Sequence, residues 1–187
     1  MLETRHTAAR AAPLPLAREA LPGVTIEPLA PRTRLSLRLR PSEAARIGAA
    51  AGLALDIRVT GTAEADGRRA LRLGPDEWLI VGHSDETEEL AARIGSDLAG
   101  AFHALVDVSH RSCGLLVRGA GAEATLNAGC PLDLARAAFP VGMATRTVLA
   151  KAEILLVRVD EDAFEVECWR SFADYVRGFL VEAARGL

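Results

Sequence analysis

The stretch Arg69–Val81 reads RALRLGPDEWLIV and predicts a β-hairpin. Polar and apolar residues alternate before Gly74 and an apolar run follows Glu77, so two strands flank the turn residues Gly-Pro-Asp-Glu. The order recurs later in the chain, and a helical segment follows each copy. In this alignment Leu71-Arg72-Leu73 and Trp78-Leu79-Ile80 match Val157-Arg158-Val159 and Phe164-Glu165-Val166. The chain is therefore predicted to contain two related units.

Upstream of the first hairpin, Arg34–Arg40 alternates polar and apolar residues, which is typical of a half-buried strand. Pro41 and Ser42 predict a helix that runs to about Ala51, with Ser42 as its N-cap. Leu55–Val59 resembles a further strand. Downstream, Ser84–Thr87 predicts a helix start, because apolar residues follow at a spacing of four. These residues are Leu90, Ile94 and Leu98.

The second unit repeats this order. Leu105–Val117 reads as strand, and a short helix is predicted over Ala122–Ala128. Strands are predicted over Thr145–Val159 and Phe164–Cys168. A terminal helix is predicted to begin at Ser171, with Asp174 completing a capping box.

The pattern predicts an α+β fold with two pseudo-repeated βαββα halves, over about residues 33–101 and 104–187. Together they are expected to form a single domain spanning residues 23–187. Residues 1–22 are rich in Ala, Pro and Arg and have no periodic apolar face, so they predict a flexible arm. An alternative is that this arm folds onto a partner.

Composition excludes several classes of function. A net charge of −3 gives no basic surface for nucleic acid. The longest apolar run is only as long as a strand, so no membrane segment is expected. The cysteines lie far apart in sequence without zinc-ligand spacing, so no metal site is predicted, and they suit a reducing cytoplasm. They are Cys113, Cys130 and Cys168.

Three motifs resemble catalytic or binding sites. The stretch 119–124 fits the G-x-G-x-x-A pattern of a dinucleotide phosphate loop, but the helix after it is short, and a tight strand-to-helix turn is favoured.

The stretch Asp107-Val108-Ser109-His110 groups an acid, a hydroxyl and an imidazole. Because triad residues meet in space rather than as neighbours on a strand, this cluster is predicted to hydrogen-bond the crossover between the halves, or to contact a partner. Cys130 has no visible base nearby and is predicted to be structural.

Half of the eight aromatic residues lie near the C-terminus, and at least two of these four are expected to pack in the core. They are Trp169, Phe172, Tyr175 and Phe179. Trp78 and Trp169 are both predicted to be buried, and the face that begins at Phe172 is predicted to be the core side of the terminal helix. The hydroxyl of Tyr175 suits an interface rim better than a sealed core.

Seven stretches, taken in order, resemble the gamma subunit family of heterotetrameric sarcosine oxidase from about Leu35 to the C-terminus. They are Leu73–Leu79, Val106–Arg111, Gly129–Leu134, Phe139–Met143, Thr145–Thr147, Lys151–Ile154 and Trp169–Phe172. The resemblance implies a fold similar to the folate-binding domain of glycine-cleavage aminomethyltransferases.

The resemblance also implies an assembly with alpha, beta and delta subunits. The alpha subunit would bind NAD and tetrahydrofolate, the beta subunit FAD, and the delta subunit zinc, with FMN between alpha and beta. Such a complex oxidises sarcosine to glycine, yields hydrogen peroxide and passes the one-carbon unit to folate. No catalytic, cofactor-binding or metal-binding residue is implied for the gamma chain.

Aminomethyltransferases place an acidic pair after a Gly-Gly turn, whereas this chain has Ala150-Lys151-Ala152-Glu153. Lys151 and Glu153 are therefore predicted to form a structural or interfacial ion pair rather than a folate site. With Tyr175 and His110, they are the residues predicted to contact a partner. Two alternatives remain open: a free-standing folate-dependent enzyme, and a transient assembly factor with the same fold.

Overall fold

The computed structural model describes residues 13–14 and 17–187. The first half of the chain forms β1 (Glu19–Leu21), β2 (Val24–Pro28), β3 (Thr33–Leu39), α1 (Pro41–Ile47), β4 (Ala49–Ala50), β5 (Leu53–Ala54), β6 (Thr62–Ala65), β7 (Arg68–Gly74), β8 (Glu77–Gly82) and α2 (Thr87–Asp97). The second half forms β9 (His103–Asp107), β10 (Ser112–Arg118), α3 (Ala122–Asn127), β11 (Ala144–Leu149), β12 (Ala152–Asp160), β13 (Ala163–Trp169), a 3-10 turn (Arg170–Phe172) and α4 (Ala173–Arg185).

Most of the predicted flexible arm, residues 1–12 and 15–16, lies outside the described residues. The last part of the stretch is structured, because β1 pairs with β2 in an antiparallel register. Leu14 is also buried in the core. The folded part therefore begins before residue 23.

The strands form two large antiparallel sheets and the small pair β4-β5. The first sheet has the order β6-β7-β8-β3-β9, and the second has the order β1-β2-β10-β13-β12-β11. The α+β class and the two related halves are confirmed. In detail, each half contains more strands than the predicted βαββα order, including β6 and β11 at the outer edges of the two sheets.

The two halves exchange strands. Along the chain β2 leads into β3, yet it pairs with β10; β9 leads into β10, yet it pairs with β3. Each half therefore completes the sheet of the other half, and this exchange interlocks them. The strand β1 is an addition to the second sheet, where it covers the outer edge of β2.

Each sheet carries two helices on its outer face and meets the other sheet with its inner face. Under α1 and α2, the first core contains Leu37, Trp78 and Ile80, with Leu90 and Ile94 from the helix side. A second core joins α3 and α4 to the second sheet. Its largest side chains include Phe139, Phe164, Leu156, Val176 and Leu180. The result is a four-layer arrangement of helices, sheet, sheet and helices.

The hairpin repeat is present in atomic detail. Arg72 lies opposite Trp78 with its guanidinium 4.9 Å from the ring centroid, and Arg158 lies opposite Phe164 at 4.6 Å. Both strand pairs then shift register just before the turn. A cation above an aromatic face is attracted by the ring quadrupole, so both hairpins use the same contact.

Several predicted helix and strand boundaries are wrong. The helix α1 ends at Ile47 rather than near Ala51, because Gly48 adopts a left-handed φ of 79° and its N–H caps Ala44. No side chain caps α1, α2 or α4, so Ser42 and Ser171 are not N-caps. The predicted strand Leu55–Val59 is not formed; β5 ends at Ala54.

Candidate partner-binding surface

The space between the two sheets is filled by a narrow apolar strip with ion pairs on either side. The strip consists of Leu71, Leu79, Val81, Ala144, Leu155 and Val157. Beside it, the buried Arg34 of β3 donates two hydrogen bonds to Glu167 of β13, at 2.7 and 2.8 Å. This bidentate pair joins the halves and places both charges away from water.

A second buried carboxylate, Glu165, lies between Arg32 and Arg69. Burial alone would raise its pKa, but the hydrogen bonds and positive charges of the two arginines hold the pKa of Glu165 below its usual value. Because both arginines come from the first half of the chain, this carboxylate also joins the halves.

On the opposite side of the strip, Glu77 accepts hydrogen bonds from Arg146 and pairs with Arg38 at 2.9 Å. The hydrogen bond from Arg146 lowers the pKa of Glu77 despite burial. A cavity of about 30 Å³ lies beside Arg146 and Glu167, and an open pocket of about 1190 Å³ lies where Arg32, Arg69 and Glu165 meet. Small-molecule sites usually have volumes of roughly 300–1,000 Å³, so the first cavity is too small for a folate.

The G-x-G-x-x-A stretch forms the predicted tight turn. Gly119 has a φ of 124°, and a Cβ atom there would lie 2.3 Å from the carbonyl oxygen of Gly23. The N–H of Gly121 donates to that same oxygen at 3.0 Å. The turn between β1 and β2 therefore occupies the place against the glycines that a phosphate would need.

The polar cluster at the end of β9, which contains Asp107 and Ser109, forms hydrogen bonds at the crossover from β9 to β10, as predicted. The backbone N–H of Arg34 donates to the Ser109 hydroxyl at 2.9 Å, and Val108 donates to the Arg34 carbonyl at 2.8 Å. Asp107 in turn accepts a hydrogen bond from the Ser109 N–H at 2.8 Å. These contacts hold the crossover against β3.

Cys130 is buried, as predicted for a structural thiol. Its neighbour Gly129 is required by packing, because a Cβ atom there would lie 2.5 Å from the ring of Phe179. The Gly129 carbonyl accepts a hydrogen bond of 2.9 Å from Ala150. The Gly-Cys-Pro motif thus supports the tip of the β11–β12 hairpin.

Beside this hairpin, five side chains form a largely exposed group that we call the hairpin surface. Val148 lies opposite Glu153 across the two strands. Ile154 pairs with Cys168, which places Glu153 beside Trp169. The Lys151 N–H donates to the Tyr175 hydroxyl at 3.3 Å. The members are Val148, Lys151, Glu153, Trp169 and Tyr175.

The apolar members of this surface are well exposed: 43% for Val148, 47% for Trp169 and 40% for Tyr175. The prediction that Trp169 is buried is therefore wrong, whereas Trp78 is fully buried as predicted. Trp169 shares the inner side of its strand with Glu165 and Glu167, but the first sheet does not extend far enough to cover it. Exposed Trp and Tyr side chains are enriched at protein interfaces.

The hairpin tip has a strained backbone. Ala150 has a φ of 51°, which is uncommon for a residue other than glycine. Two hydrogen bonds hold this conformation, one from Ala150 to Gly129 and one from Lys151 to Tyr175. Tyr175 therefore fixes the shape of the hairpin surface as well as contributing area to it.

The structure brings together three of the four predicted contact residues, Lys151, Glu153 and Tyr175. Within residues 13–14 and 17–187 no salt bridge joins Lys151 to Glu153, so the structural form of the predicted ion pair is not formed, and its interfacial form stays a prediction. His110 is exposed on the turn before β10. It lines a separate pocket of about 270 Å³ with Arg170, whose N–H donates to the Arg111 carbonyl.

The terminal helix faces the core with Leu180, as predicted from the face that extends to Leu180 and Ala183, but not with Phe172, where that face was predicted to begin. Its buried positions are Ala173, Val176, Leu180, Val181 and Ala184. Phe172 lies in the preceding 3-10 turn and is exposed, so of the four clustered aromatic residues only Phe179 packs against the core. Sequence analysis missed Val148, although strand alternation places it opposite to the buried Leu149.

Among the described residues no cluster of His, Cys, Asp and Glu has the arrangement needed to hold a metal ion. In the same part of the chain, none of the helices has the length and apolar character required to cross a bilayer.

Residues 38–185 match the family described as sarcosine oxidase, gamma subunit. The chain is 32% identical to sarcosine oxidase subunit gamma of Arthrobacter sp. over 163 residues, which cover 86% of this chain and 79% of that protein. The corresponding protein of Corynebacterium sp. (strain P-1) is 31% identical with the same coverage.

Two solved structures are similar. A chain of the heterotetrameric sarcosine oxidase from Corynebacterium sp. U-96, in complex with pyrrole 2-carboxylate, has a TM-score of 0.78 and 30% identity, and the match covers 86% of this chain and 83% of that chain. Glycine cleavage system aminomethyltransferase T from Bartonella henselae has a TM-score of 0.62 and 13% identity, covering 87% of this chain and 49% of that chain. The second likeness concerns the fold alone and confirms the predicted aminomethyltransferase-like architecture.

Proposed function

Because the chain belongs to the sarcosine oxidase gamma subunit family, we propose that it acts as a non-catalytic subunit of a heterotetrameric sarcosine oxidase. Its partners would be the alpha, beta and delta subunits. FAD, FMN, NAD, tetrahydrofolate and zinc would be held by those partners, and the assembly would oxidise sarcosine to glycine in the cytoplasm.

The observation that carries this proposal is the hairpin surface. It exposes Val148 and Trp169 on either side of Glu153 on the inner side of the second sheet, and Tyr175 at the hairpin tip, where its hydroxyl accepts from Lys151. Hot spots of protein interfaces are enriched in Trp and Tyr, because these side chains bury large areas while keeping one polar group hydrogen-bonded. Lys151 and Glu153 would supply a polar rim with both signs of charge.

A non-catalytic role is supported by the ion pairs between the sheets. A free-standing folate enzyme of this fold would bind its ligand between the halves, where this chain has the buried pairs Arg34–Glu167 and Arg69–Glu165. Opening that space would separate Arg34 from Glu167 and leave buried charges unpaired, which costs about 3–5 kcal/mol. The folate-enzyme alternative is therefore disfavoured.

The test is co-purification. An affinity-tagged copy expressed from its native host should recover larger chains at equal stoichiometry in a yellow complex that oxidises sarcosine. The isolated chain should be colourless and inactive. Recovery of the chain alone, or flavin and turnover in the single chain, would refute the proposal, and substoichiometric partners would favour the transient assembly factor.

A further inference from the structure

Two of the three cysteines, which lie 55 positions apart in sequence, meet in the second sheet. Cys113 of β10 pairs directly with Cys168 of β13. Their sulfur atoms are 3.8 Å apart, and both thiols are free. Cys130 lies elsewhere, with the Thr147 hydroxyl 4.0 Å from its sulfur.

The backbone already has the geometry that a disulfide requires. Directly opposite residues of antiparallel strands have Cα atoms about 4.5–5.5 Å apart, within the range of roughly 4.4–6.8 Å for disulfide-bonded cysteines. The sulfur atoms must approach from 3.8 Å to about 2.05 Å. Rotation of the two side chains supplies this movement without a shift of the strands.

The two thiols differ in environment. Cys113 lines the 270 Å³ pocket together with Arg34, His110 and Arg170. The hydrogen bond from Cys168 lowers the pKa of Cys113 against the effect of burial, and Arg34 adds a further lowering. The same interaction, with burial, raises the pKa of Cys168. Of the two buried thiols, Cys113 therefore loses its proton more readily and lies beside the pocket, while Cys168 lies behind it.

We propose that Cys113 and Cys168 form a redox-active pair that a hydroperoxide oxidises to an intramolecular disulfide. The Cys113 thiolate attacks the peroxide O–O bond, forming an S–O bond and releasing hydroxide or alkoxide, which leaves protonated as water or alcohol. The sulfur of Cys168 then attacks the sulfenic sulfur of Cys113. The S–S bond forms, the S–O bond breaks, and the thiol proton leaves with the hydroxide as water.

With hydrogen peroxide the two thiols lose two electrons and two protons in total, and one peroxide is reduced to two waters. A disulfide between the neighbouring strands β10 and β13 would lie in the second core, on the face of β13 opposite to the side chain of the next residue, Trp169.

The test uses the full chain with hydrogen peroxide as the probe. After quenching and alkylation under denaturing conditions, tryptic peptides 112–118 and 159–170 should appear joined by a disulfide, whereas peptide 119–136 should keep its Cys130 thiol alkylated. Cys113 should react roughly tenfold faster than Cys130, because thiolate character and access determine the rate. The disulfide should raise the thermal midpoint by roughly 5–10 °C, reversibly with dithiothreitol.

Matched variants separate the steps. Cys130→Ala should still form the link, Cys113→Ala should not, and Cys168→Ala should leave a sulfenic acid on Cys113 that dimedone labels. Near-parental melting temperatures of the reduced variants exclude misfolding, and the peptide map of the parent chain tests the link without any substitution. Equal oxidation of all three cysteines, or sulfinic acid at Cys113 with no disulfide, would overturn the proposal.

Discussion

The two hairpins, β7–β8 and β12–β13, have the same register and the same arginine above an aromatic ring, yet the two arginines differ in burial. Arg72 is half-buried and donates to the carbonyls of the loops around it. Arg158 is 1% exposed, donates to the Leu134 and Phe139 carbonyls and pairs with Glu123. The two hairpins thus share their register and their cation–aromatic contact. The loops around each hairpin differ, and they determine how far its arginine is shielded from solvent.

The largest difference in stability between the halves is expected when each arginine is replaced in turn by methionine, which keeps the aliphatic stem but removes the guanidinium. Arg158→Met should lower the free energy of unfolding by about 3 kcal/mol, because two carbonyls lose a charged donor at a buried position. Arg72→Met should cost only about 1–2 kcal/mol, because water can reach its partners. Urea unfolding of both variants measures the difference, and equal losses would show that the shielding of Arg158 has no energetic consequence.

A second difference lies at the end of β3 and of β10. Leu39 and Gly119 occupy matching places, each donating its N–H to a hairpin carbonyl, of Asp76 and Asp162 respectively. Only the second half needs glycine there, because the β1–β2 turn approaches it.

Gly119→Ala should therefore cost about 2–3 kcal/mol, from the positive φ and the contact with Gly23. The control is Gly178→Ala in α4, where nothing lies within 4 Å of the added Cβ atom. It should stabilise the chain by up to about 1 kcal/mol. Thermal unfolding of the two variants should shift in opposite directions; a neutral Gly119→Ala would mean that the β1–β2 turn moves away without cost.

The contact between the halves should be sensitive to acid. The pKa of Glu165 is held low because Arg32 and Arg69 outweigh burial, and the hydrogen bond from Arg146 lowers the pKa of Glu77. A carboxylate whose pKa is lower in the folded than in the unfolded state stabilises the fold fully above its unfolded pKa, about 4.3 for Glu. That stabilisation is lost as the pH falls through the folded pKa.

Stability measured by urea unfolding should therefore decline below about pH 4.3. Glu165→Gln should reduce this decline by about 1–2 kcal/mol, because it removes one of the titrating groups between the halves. The control is Glu182→Gln, in an exposed pair with Arg185. It should leave the decline of stability at low pH unchanged. If the free energy of unfolding declined equally at low pH in Glu165→Gln and in the parent chain, carboxylates other than Glu165 would be responsible for the acid sensitivity.

Local signals made the hairpins predictable, because Gly-Pro-Asp and the flanking alternation depend only on neighbouring residues. The exchange of β2 and β9 between the sheets was not predictable, since it depends on pairing between distant segments. Glu165 and Glu167 alternate with Val166 and Cys168 in the manner of a half-exposed strand, but both are buried because arginines of the other sheet meet them. Trp169 follows the same alternation and is exposed, because coverage depends on where the opposite sheet ends.

The smallest effect on stability is expected at the hairpin surface, where the effect on assembly should be the largest. Trp169→Ala removes a side chain that is 47% exposed, so the isolated chain should lose less than about 1 kcal/mol. Tyr175→Phe removes only the hydroxyl that accepts from Lys151, which should cost about 0.5–1 kcal/mol and loosen the tip at Ala150.

In co-purification, Trp169→Ala should reduce recovery of the larger chains roughly tenfold or more, as truncating an interface hot spot of 2 kcal/mol or more does. The matched control is Phe102→Ala, which removes an 85% exposed ring next to β9 in the first sheet, away from the hairpin surface. It should change neither the melting temperature nor recovery. If Trp169→Ala assembles like the parent while Phe102→Ala does not, the partner binds the first half of the molecule, and the assignment of the interface to the second half is wrong.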